Sequence, residues 1–275
     1  MGAVAIKRLY EEKQNKQGSL MKIVEYNNYD DIVVEFQDEH NARVHTAYGH
    51  FLNGSVKNPY YPTSYGVGRI GNKYPVSINC KATKEYAVWQ GILRRCYDED
   101  FKSKNPTYKN VSCCSEWLLF ENFYEWLHSQ ENFEKWLNGG KWEWAVDKDI
   151  LIKGNKVYSP NACCIVPQNV NQLFKKKYDE INDSLIYIDL QVCINKTGND
   201  FKIKYKNPIT NKTECFSSYK EIEKMHQIYK SQSFELYKIH KENTIKQVAK
   251  EEYDNGNITE RCYNAMIAYE VDIND

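Results

Sequence analysis

Residues 144–177 carry a pattern that permits few structures. One apolar run covers residues 144–152 and a second covers 162–166, with a turn at Gly154-Asn155 between them. Pro167 follows the second run, and proline suits the first position of a helix because its fixed φ is already helical and its missing N–H is not needed there. The pattern therefore predicts a β-hairpin followed by a helix that continues to Lys177, a β-β-α unit.

The flanking segments show two other periodicities. Ile32, Val34 and Phe36 alternate with other residues as a half-buried strand requires, so the first 82 residues predict a small β module with a linker. From Thr83 the period becomes helical, and two aromatic helices precede the β-β-α unit. Residues 186–216 again predict strands, followed by a helix that a capping box opens at Ser218. The last segment predicts a tail helix.

These patterns predict an α+β fold with four parts. They are an N-terminal β module with its linker (1–82), a central domain of helices plus the β-β-α unit (83–177), a three-strand-plus-helix module (178–250) and an acidic C-terminal tail helix (251–275).

Composition indicates the cellular compartment that suits the chain. No apolar stretch approaches the roughly 18 residues of a membrane span, so we expect no membrane association. The chain has nine cysteines without regular spacing, which is typical of reduced thiols in a cytoplasm rather than of a disulfide framework. The adjacent pairs Cys113-Cys114 and Cys163-Cys164 lack the spacing of zinc knuckles, so we interpret them as small buried hydrophobic residues.

The net charge of zero conceals an uneven distribution. Lys and Arg against Asp and Glu give +3 for residues 1–84, −2 for 85–174, +5 for 175–250 and −6 for 251–275. Nucleic-acid binding needs a locally basic face, so the third segment is the natural candidate for phosphate contacts. An ordinary solvated surface is the alternative interpretation.

Residues 66–71 match the dinucleotide-binding pattern G-x-G-x-x-G. That motif works only between a strand and a helix, where the phosphate meets the helix N-terminus. Here Pro62 precedes the motif and Pro75 follows it, so both flanks are unsuitable. We interpret this segment as a flexible glycine linker.

Oxygen-bearing side chains converge in the β-β-α unit. Asp147 and Asp149 lie on its first strand, while Asn169 and Asn171 fall in the first turn of its helix. Folding the hairpin back on the helix brings them together, and such hard donors suit one divalent ion with open positions for phosphate and water.

The same residues carry a resemblance to a known family. The run Trp144-x-x-Asp147-Lys148-Asp149, then Gly154-Asn155-Lys156-x-Tyr158-Ser159-Pro160, then Cys164-x-Val166-Pro167 and Asn171, resembles phage-encoded HNH endonucleases, the His-Me finger nucleases that are often of the homing type. Upstream residues match as well, namely Trp89, Arg95-Cys96-Tyr97, Glu116-Trp117 and Phe120-x-x-Phe123-x-x-Trp126. Residues 178–250 are similar to the DNA-binding module of plant ethylene-response factors.

The resemblance implies roles for individual residues. Asp147 would be a metal ligand, with Asn171 as the helix ligand and Asn169 as its alternative, for Mg²⁺ or Mn²⁺ if the protein is active. Lys148 stands where the family has its general-base histidine. Because an ordinary lysine, with a pKa of about 10.4, is protonated near neutral pH, it is a poor base.

Other residues would support catalysis or binding. Lys148 could stabilise phosphate charge, with Asp149 or water as a poor base, and these two residues are the candidate catalytic ones. Among the six histidines, His128 is nearest in sequence to the unit. The candidate nucleic-acid contacts are Arg94, Arg95, Lys175, Lys176 and Lys177.

Three functions follow as hypotheses. The chain is a phage DNA-binding protein of the HNH endonuclease family with metal-dependent cleavage, a relative that binds double-stranded DNA without cleaving it, or a scaffold that binds a bacterial host protein in counter-defence or regulation. Each would act in the cytoplasm of the bacterial host. The lysine-rich third segment favours DNA, whereas the −2 core favours a protein partner.

Overall fold

The computed structural model describes residues 8–140, 142–174, 193–197, 200–206, 213–216, 238–239 and 241–272. Within them the chain combines helices with several small sheets, which confirms the α+β class in general. It divides into two compact units: the first unit contains Met1–Asn138 and Gly154–Cys163, and the second unit contains Gly139–Lys153 and Cys164–Asp275. The four parts predicted with boundaries after residues 82, 177 and 250 stay predictions.

The described elements follow one another in chain order. As far as residue 138 they are β1 (Glu12–Gln14), β2 (Leu20–Asn28), β3 (Asp31–Phe36), β4 (Arg43–Thr46), α1 (Tyr48–Leu52), β5 (Ser77–Ile78), β6 (Lys81–Ala82), α2 (Lys84–Tyr97), α3 (Glu99–Lys104), β7 (Ser112–Cys113), α4 (Phe120–His128) and α5 (Phe133–Asn138). After it they are β8 (Trp144–Asp147), β9 (Val157–Tyr158), β10 (Cys164–Pro167), α6 (Gln168–Leu173), β11 (Cys193–Thr197), β12 (Asp200–Lys206), β13 (Thr213–Phe216), α7 (241–254) and α8 (Glu260–Ile267).

The first unit opens with an antiparallel sheet in the order β1-β2-β3-β4. The predicted alternation is confirmed, because Ile32, Val34 and Phe36 are fully buried. They pack with residues of β2 and with Phe51 of α1 in one apolar core. This arrangement is the half-buried sheet that a period of two residues produces.

The helical part of the first unit is organised around α2. Thr83 caps this helix by accepting a hydrogen bond from the N–H of Tyr86, as predicted from the change of period. The helix buries Trp89, whose indole N–H donates to the carbonyl of Trp117 at 2.7 Å. Aromatic residues of α4, including Phe120, complete this core.

The glycine-rich segment at residues 66–71 is not a flexible linker, so that prediction is wrong. Gly68 is buried, and an added Cβ would lie 2.4 Å from Leu93 and 3.0 Å from Trp89, both on α2. Gly71 is buried against Glu121 of α4. These glycines are required because the backbone packs directly on helices, and no helix follows the motif to bind a phosphate.

The two paired strands and the helix of the predicted β-β-α unit are present in the second unit, whereas Gly154–Cys163, between the strands, belong to the first unit. The helix ends at Leu173 rather than continuing to Lys177. Strands β8 and β10 pair antiparallel, with Asp147 opposite Cys164 and Trp144 opposite Pro167. Helix α6 begins immediately after Pro167 and packs against both strands. The first strand is shorter than predicted, because it ends at Asp147 rather than at residue 152.

Helices α7 and α8 complete the core of this unit. Ile245 and Ala249 of α7, with Cys262 and Met266 of α8, are fully buried against residues of the hairpin and of α6. The tail helix predicted from the spacing of Tyr263, Met266 and Tyr269 is thus docked. In the sheet of β11, β12 and β13, all pairs are antiparallel. The predicted strand at 186–190 and the helix after Ser218 lie outside the described residues.

Candidate metal and nucleic-acid site

Asp147 ends the first strand of the hairpin through its own side chain. Its Oδ1 accepts the backbone N–H of Asp149 at 2.7 Å and that of Ile150 at 2.9 Å. These N–H groups would otherwise continue the ladder of the sheet, so the aspartate turns the chain out of the strand. The two hydrogen bonds also fix the orientation of the carboxylate, which leaves its second oxygen for another partner.

Burial raises the pKa of Asp147, because a carboxylate removed from water loses hydration of its charged form. The two backbone hydrogen bonds lower the pKa, the charge of Asp149 raises it, and the ammonium of Lys148 lowers it. Burial is the largest of these effects. A cation bound at the carboxylate would therefore stabilise its ionised form.

Lys148 occupies the position after Asp147 and is 6% exposed. Its Nζ lies 2.6 Å from both carboxylate oxygens of Asp149, whose side chain is 42% exposed. An ammonium that donates to a carboxylate has no lone pair with which to accept a proton. The arrangement gives Lys148 the chemistry of a buried cation rather than that of a base.

The two asparagines of α6 differ in their surroundings. Asn169 is exposed, and its Nδ2 donates to Glu252 of α7 at 2.6 Å. Asn171 is half-buried, and its only contact of this kind among the described residues is a 3.5 Å approach to Gln168. Residues two apart on a helix point in different directions, since each residue turns the helix by about 100°. Asn171 is therefore the better candidate ligand of the two.

The donor chemistry at this end of the hairpin suits a hard divalent ion. Among the described residues no group of three or more His, Cys, Asp or Glu side chains could hold a metal. An ion at Asp147 would therefore have at most two such side chains, and amide oxygens or water would complete its ligands. Mg²⁺ accepts such a site, since it commonly keeps several waters and binds one or two carboxylates beside a phosphate.

The predicted nucleic-acid contacts are only partly within the described chain. Arg94 of α2 is exposed, lies 3.5 Å from Asp98 and covers the ring of Phe101. Arg95 is half-buried, with its guanidinium over the ring of Tyr108. Lys175, Lys176 and Lys177 lie outside the described residues.

His128, the histidine nearest in sequence to the β-β-α unit, is part of an aromatic stack at the end of α4. Its ring centroid lies 3.9 Å from that of Tyr124 and 3.8 Å from that of Phe133. Its Nε2 is 3.3 Å from Glu85 of α2. These contacts give the histidine a packing role within the first unit.

Most of the described cysteines behave as the sequence predicts. Cys96, Cys113, Cys163, Cys164 and Cys262 are buried, and none of the described cysteines forms a disulfide. Burial raises the pKa of the Cys113 thiol far above its ordinary value, so it stays protonated and unreactive. Packing is the role of these five cysteines, in agreement with the interpretation as small buried hydrophobic residues, whereas Cys114 is only half-buried and departs from it.

Comparisons with known proteins leave the site to be judged by its own chemistry. No protein-family model matches the chain, and neither does any curated protein sequence or any solved structure. No helix in the described part of the chain is both long and apolar enough to cross a bilayer.

Proposed function

We propose that this chain is a DNA-binding protein of phage or prophage origin that is related to HNH endonucleases and nicks DNA weakly or not at all. The observation that carries the proposal is the hairpin of β8 and β10 leading directly into α6, with Asp147 at the end of the first strand. Lys148, in the histidine position of the resemblance, is buried and ion-paired.

The proposed metal site rests on Asp147 and Asn171. A bound Mg²⁺ or Mn²⁺ would neutralise charge on a phosphate oxygen and so favour attack on phosphorus. Asp147 would hold the ion with the oxygen that its backbone hydrogen bonds leave available. Asn171 would approach from the helix, whereas the Nδ2 of Asn169 donates to Glu252 and orients that side chain toward α7.

The weakness of cleavage follows from the base. General-base assistance contributes about 10² to 10⁴-fold to such reactions. Lys148 supplies none of it while it donates to Asp149. Asp149 is an alternative acceptor, but both of its carboxylate oxygens already accept from the Lys148 ammonium.

A second function, binding of a bacterial host protein by a scaffold without catalysis, is favoured by the charge beside α6. Helix α7 places Glu252 against Asn169 on the exposed face of α6, and Glu251 and Asp254 lie nearby in the same helix. Carboxylates at this face repel a phosphate backbone. A protein partner does not meet this repulsion.

A nicking assay tests the proposed nuclease ancestry. We expect the unmodified protein to leave supercoiled plasmid intact, or nearly so, with Mg²⁺ or Mn²⁺ at neutral pH. The Lys148→His variant restores a proton acceptor and should gain metal-dependent nicking. Asp147→Ala in the same background is the matched control and should abolish that gain.

Two results would contradict the proposal. Robust nicking by the unmodified protein that Asp147→Ala abolishes would show that Lys148 does not disable the site. Failure of every version to bind either metal or duplex DNA at low salt would leave the protein-binding scaffold as the better account.

A further inference from the structure

Residues 59–71 of the first unit form a closed loop that carries exposed aromatic side chains. We call this segment the Tyr65 loop. The N–H of Gly71 donates to the carbonyl of Pro59 at 3.0 Å and closes it. Compact loops of 6–16 residues with adjacent ends are frequently functional, because a rigid base supports an exposed crest.

The base of the Tyr65 loop is fixed by packing and by polar contacts. Gly68 lies against Leu93 and Trp89, and Gly71 lies against Glu121. The hydroxyl of Tyr60 also donates to the Glu121 carboxylate, at 3.2 Å. The loop therefore keeps one conformation at its base.

The crest of the loop is a tight turn with an unusual residue in it. The N–H of Val67 donates to the carbonyl of Ser64 at 3.1 Å, while Tyr65 and Gly66 have φ of 51° and 74°. Positive φ at both central positions defines a type I′ turn, in which Asn and Gly are preferred. The turn between β5 and β6 also has positive φ at both central positions, with the preferred Asn79 at the first and Cys80 at the second.

Tyrosine in the left-handed region is unfavourable, and nothing in the turn itself requires it there. Its side chain is 38% exposed, as is that of Tyr61 on the same loop. A strained, exposed aromatic residue on a fixed loop indicates a contact with something outside the chain, because strain of this kind persists where function requires it.

The surrounding sequence indicates the charge of that partner. Residues 40–84 contain six Lys or Arg and three His but no Asp or Glu. Lys57 and Lys81 are exposed, and neither has an ion-pair partner among the described residues. The Nη1 of Arg69, on the loop itself, lies 3.8 Å from Glu39 in a solvent-exposed pair. Arg43 and Lys73 are likewise ion-paired, with Glu35 and Glu125, so Lys57 and Lys81 are the exposed cations of this segment that stay available to a polyanion.

We propose that the Tyr65 loop forms a contact surface for DNA together with Lys57, two residues before the loop, and Lys81 of β6, with Tyr65 packing on a sugar or base and the lysines on phosphates. The inference rests on the proposed DNA-binding function and adds where the DNA is held. The proposed surface lies within residues 1–84, whose net charge of +3 is lower than the +5 of residues 175–250.

Substituting the aromatic residue without disturbing the turn gives the first test. Tyr65→Asn removes the ring but installs a residue that favours the left-handed conformation, so the fold should be kept or stabilised. We expect the affinity of the full-length protein for a labelled duplex of mixed sequence to fall about ten-fold, in line with the contribution of aromatic stacking. A single strand of the same sequence, measured in parallel, shows whether the ring prefers unpaired bases.

The cations are tested through the salt dependence of binding. Lys57→Gln with Lys81→Gln should lower the slope of log K against log salt by about 2, because each phosphate contact contributes about 0.9 on duplex DNA. The matched control is Lys13→Gln with Lys104→Gln, two exposed lysines of the same unit outside residues 40–84, and it should leave the slope unchanged.

The possible results distinguish failure of the proposed DNA-binding function from failure of the proposed DNA surface. Absence of DNA binding by the unmodified protein at low salt would overturn the proposed function and this inference together. Normal DNA binding that neither Tyr65→Asn nor the lysine pair changes would overturn this inference alone. Equal loss in the control pair would also overturn it, because the contact would then be general attraction rather than this surface.

Discussion

Gly71 is the position at which the fold of the first unit is most sensitive to a single methyl group. Its φ is +79°, and a Cβ added there would lie 2.3 Å from the carboxyl carbon of Glu121. That carboxylate cannot move aside without loss, because its Oε1 accepts the N–H of Asn72 at 2.8 Å and that of Lys73 at 2.7 Å. Gly71→Ala therefore combines backbone strain with the displacement of a buried acceptor.

The two contributions can be given magnitudes. A left-handed conformation costs an L-residue about 1–2 kcal/mol, and each hydrogen bond to a charged group that is lost costs about 1.5–3 kcal/mol. With the strain and the loss of one of the two hydrogen bonds, we expect Gly71→Ala to lower the free energy of unfolding by about 2.5–5 kcal/mol. Gly66→Ala is the control, since Gly66 has φ of +74° with nothing within 4 Å of the added Cβ. It should lose only the strain.

Urea unfolding, followed by tryptophan fluorescence and by circular dichroism, measures the difference. In a Glu121→Ala background the obstructing carboxylate is gone, so Gly71→Ala should cost only about as much as Gly66→Ala. The coupling energy of that double-mutant cycle should be about 2 kcal/mol or more. Equal losses for Gly71→Ala and Gly66→Ala in the parent protein would refute the reasoning, because Glu121 would then have moved without cost.

Further predictions concern the candidate metal site. Burial raises the folded-state pKa of Asp147 above the ordinary value of about 3.9, so its ionised form costs stability at neutral pH and its protonated form does not. The Asp147→Asn variant keeps Oδ1 as acceptor but carries no charge. Its free energy of unfolding in urea without metal, minus that of the parent, should therefore be larger at pH 7 than at pH 4. A difference that is the same at both pH values would contradict this. We also expect Mn²⁺ to raise the melting temperature of the parent protein. Asn171→Ala should abolish that rise, whereas Asn169→Ala should retain it. The reverse pattern would make Asn169 the ligand.

Local pattern was sufficient to predict the hairpin and its helix. The alternation of β3, the helical period from Thr83 and the Pro167 start each depend on neighbouring residues only, and the structure has all three. The end of β8 was predicted too late, because an apolar residue such as Ile150 continues the pattern while the Asp147 side chain has already captured the backbone N–H groups. The pattern of apolar residues does not show that a side chain will accept hydrogen bonds from the backbone N–H groups of a strand and so end it.

Contacts between distant residues account for what the sequence could not show. Gly68 and Gly71 have the composition of a linker, yet their environment is set by Leu93 and Glu121, which lie far along the chain. Likewise, the contact between Asn169 and Glu252 depends on α7 docking beside α6. The spacing of Ile245 and Ala249 was the available signal that α7 has a buried face.

The electrostatics of residues 147–149 separate metal binding from cleavage. Lys148 is ion-paired with Asp149, and Asp147 is half-buried with one oxygen held by two N–H groups, so the nearest cation does not fully compensate the Asp147 carboxylate. A carboxylate in that state gains more from a divalent ion than an exposed one does, because its charge is poorly hydrated. A lysine at the position proposed for the general base does not remove this gain. We therefore expect the protein to bind Mn²⁺ at Asp147 even if it nicks no DNA, and the proposed metal would then hold phosphate rather than promote cleavage.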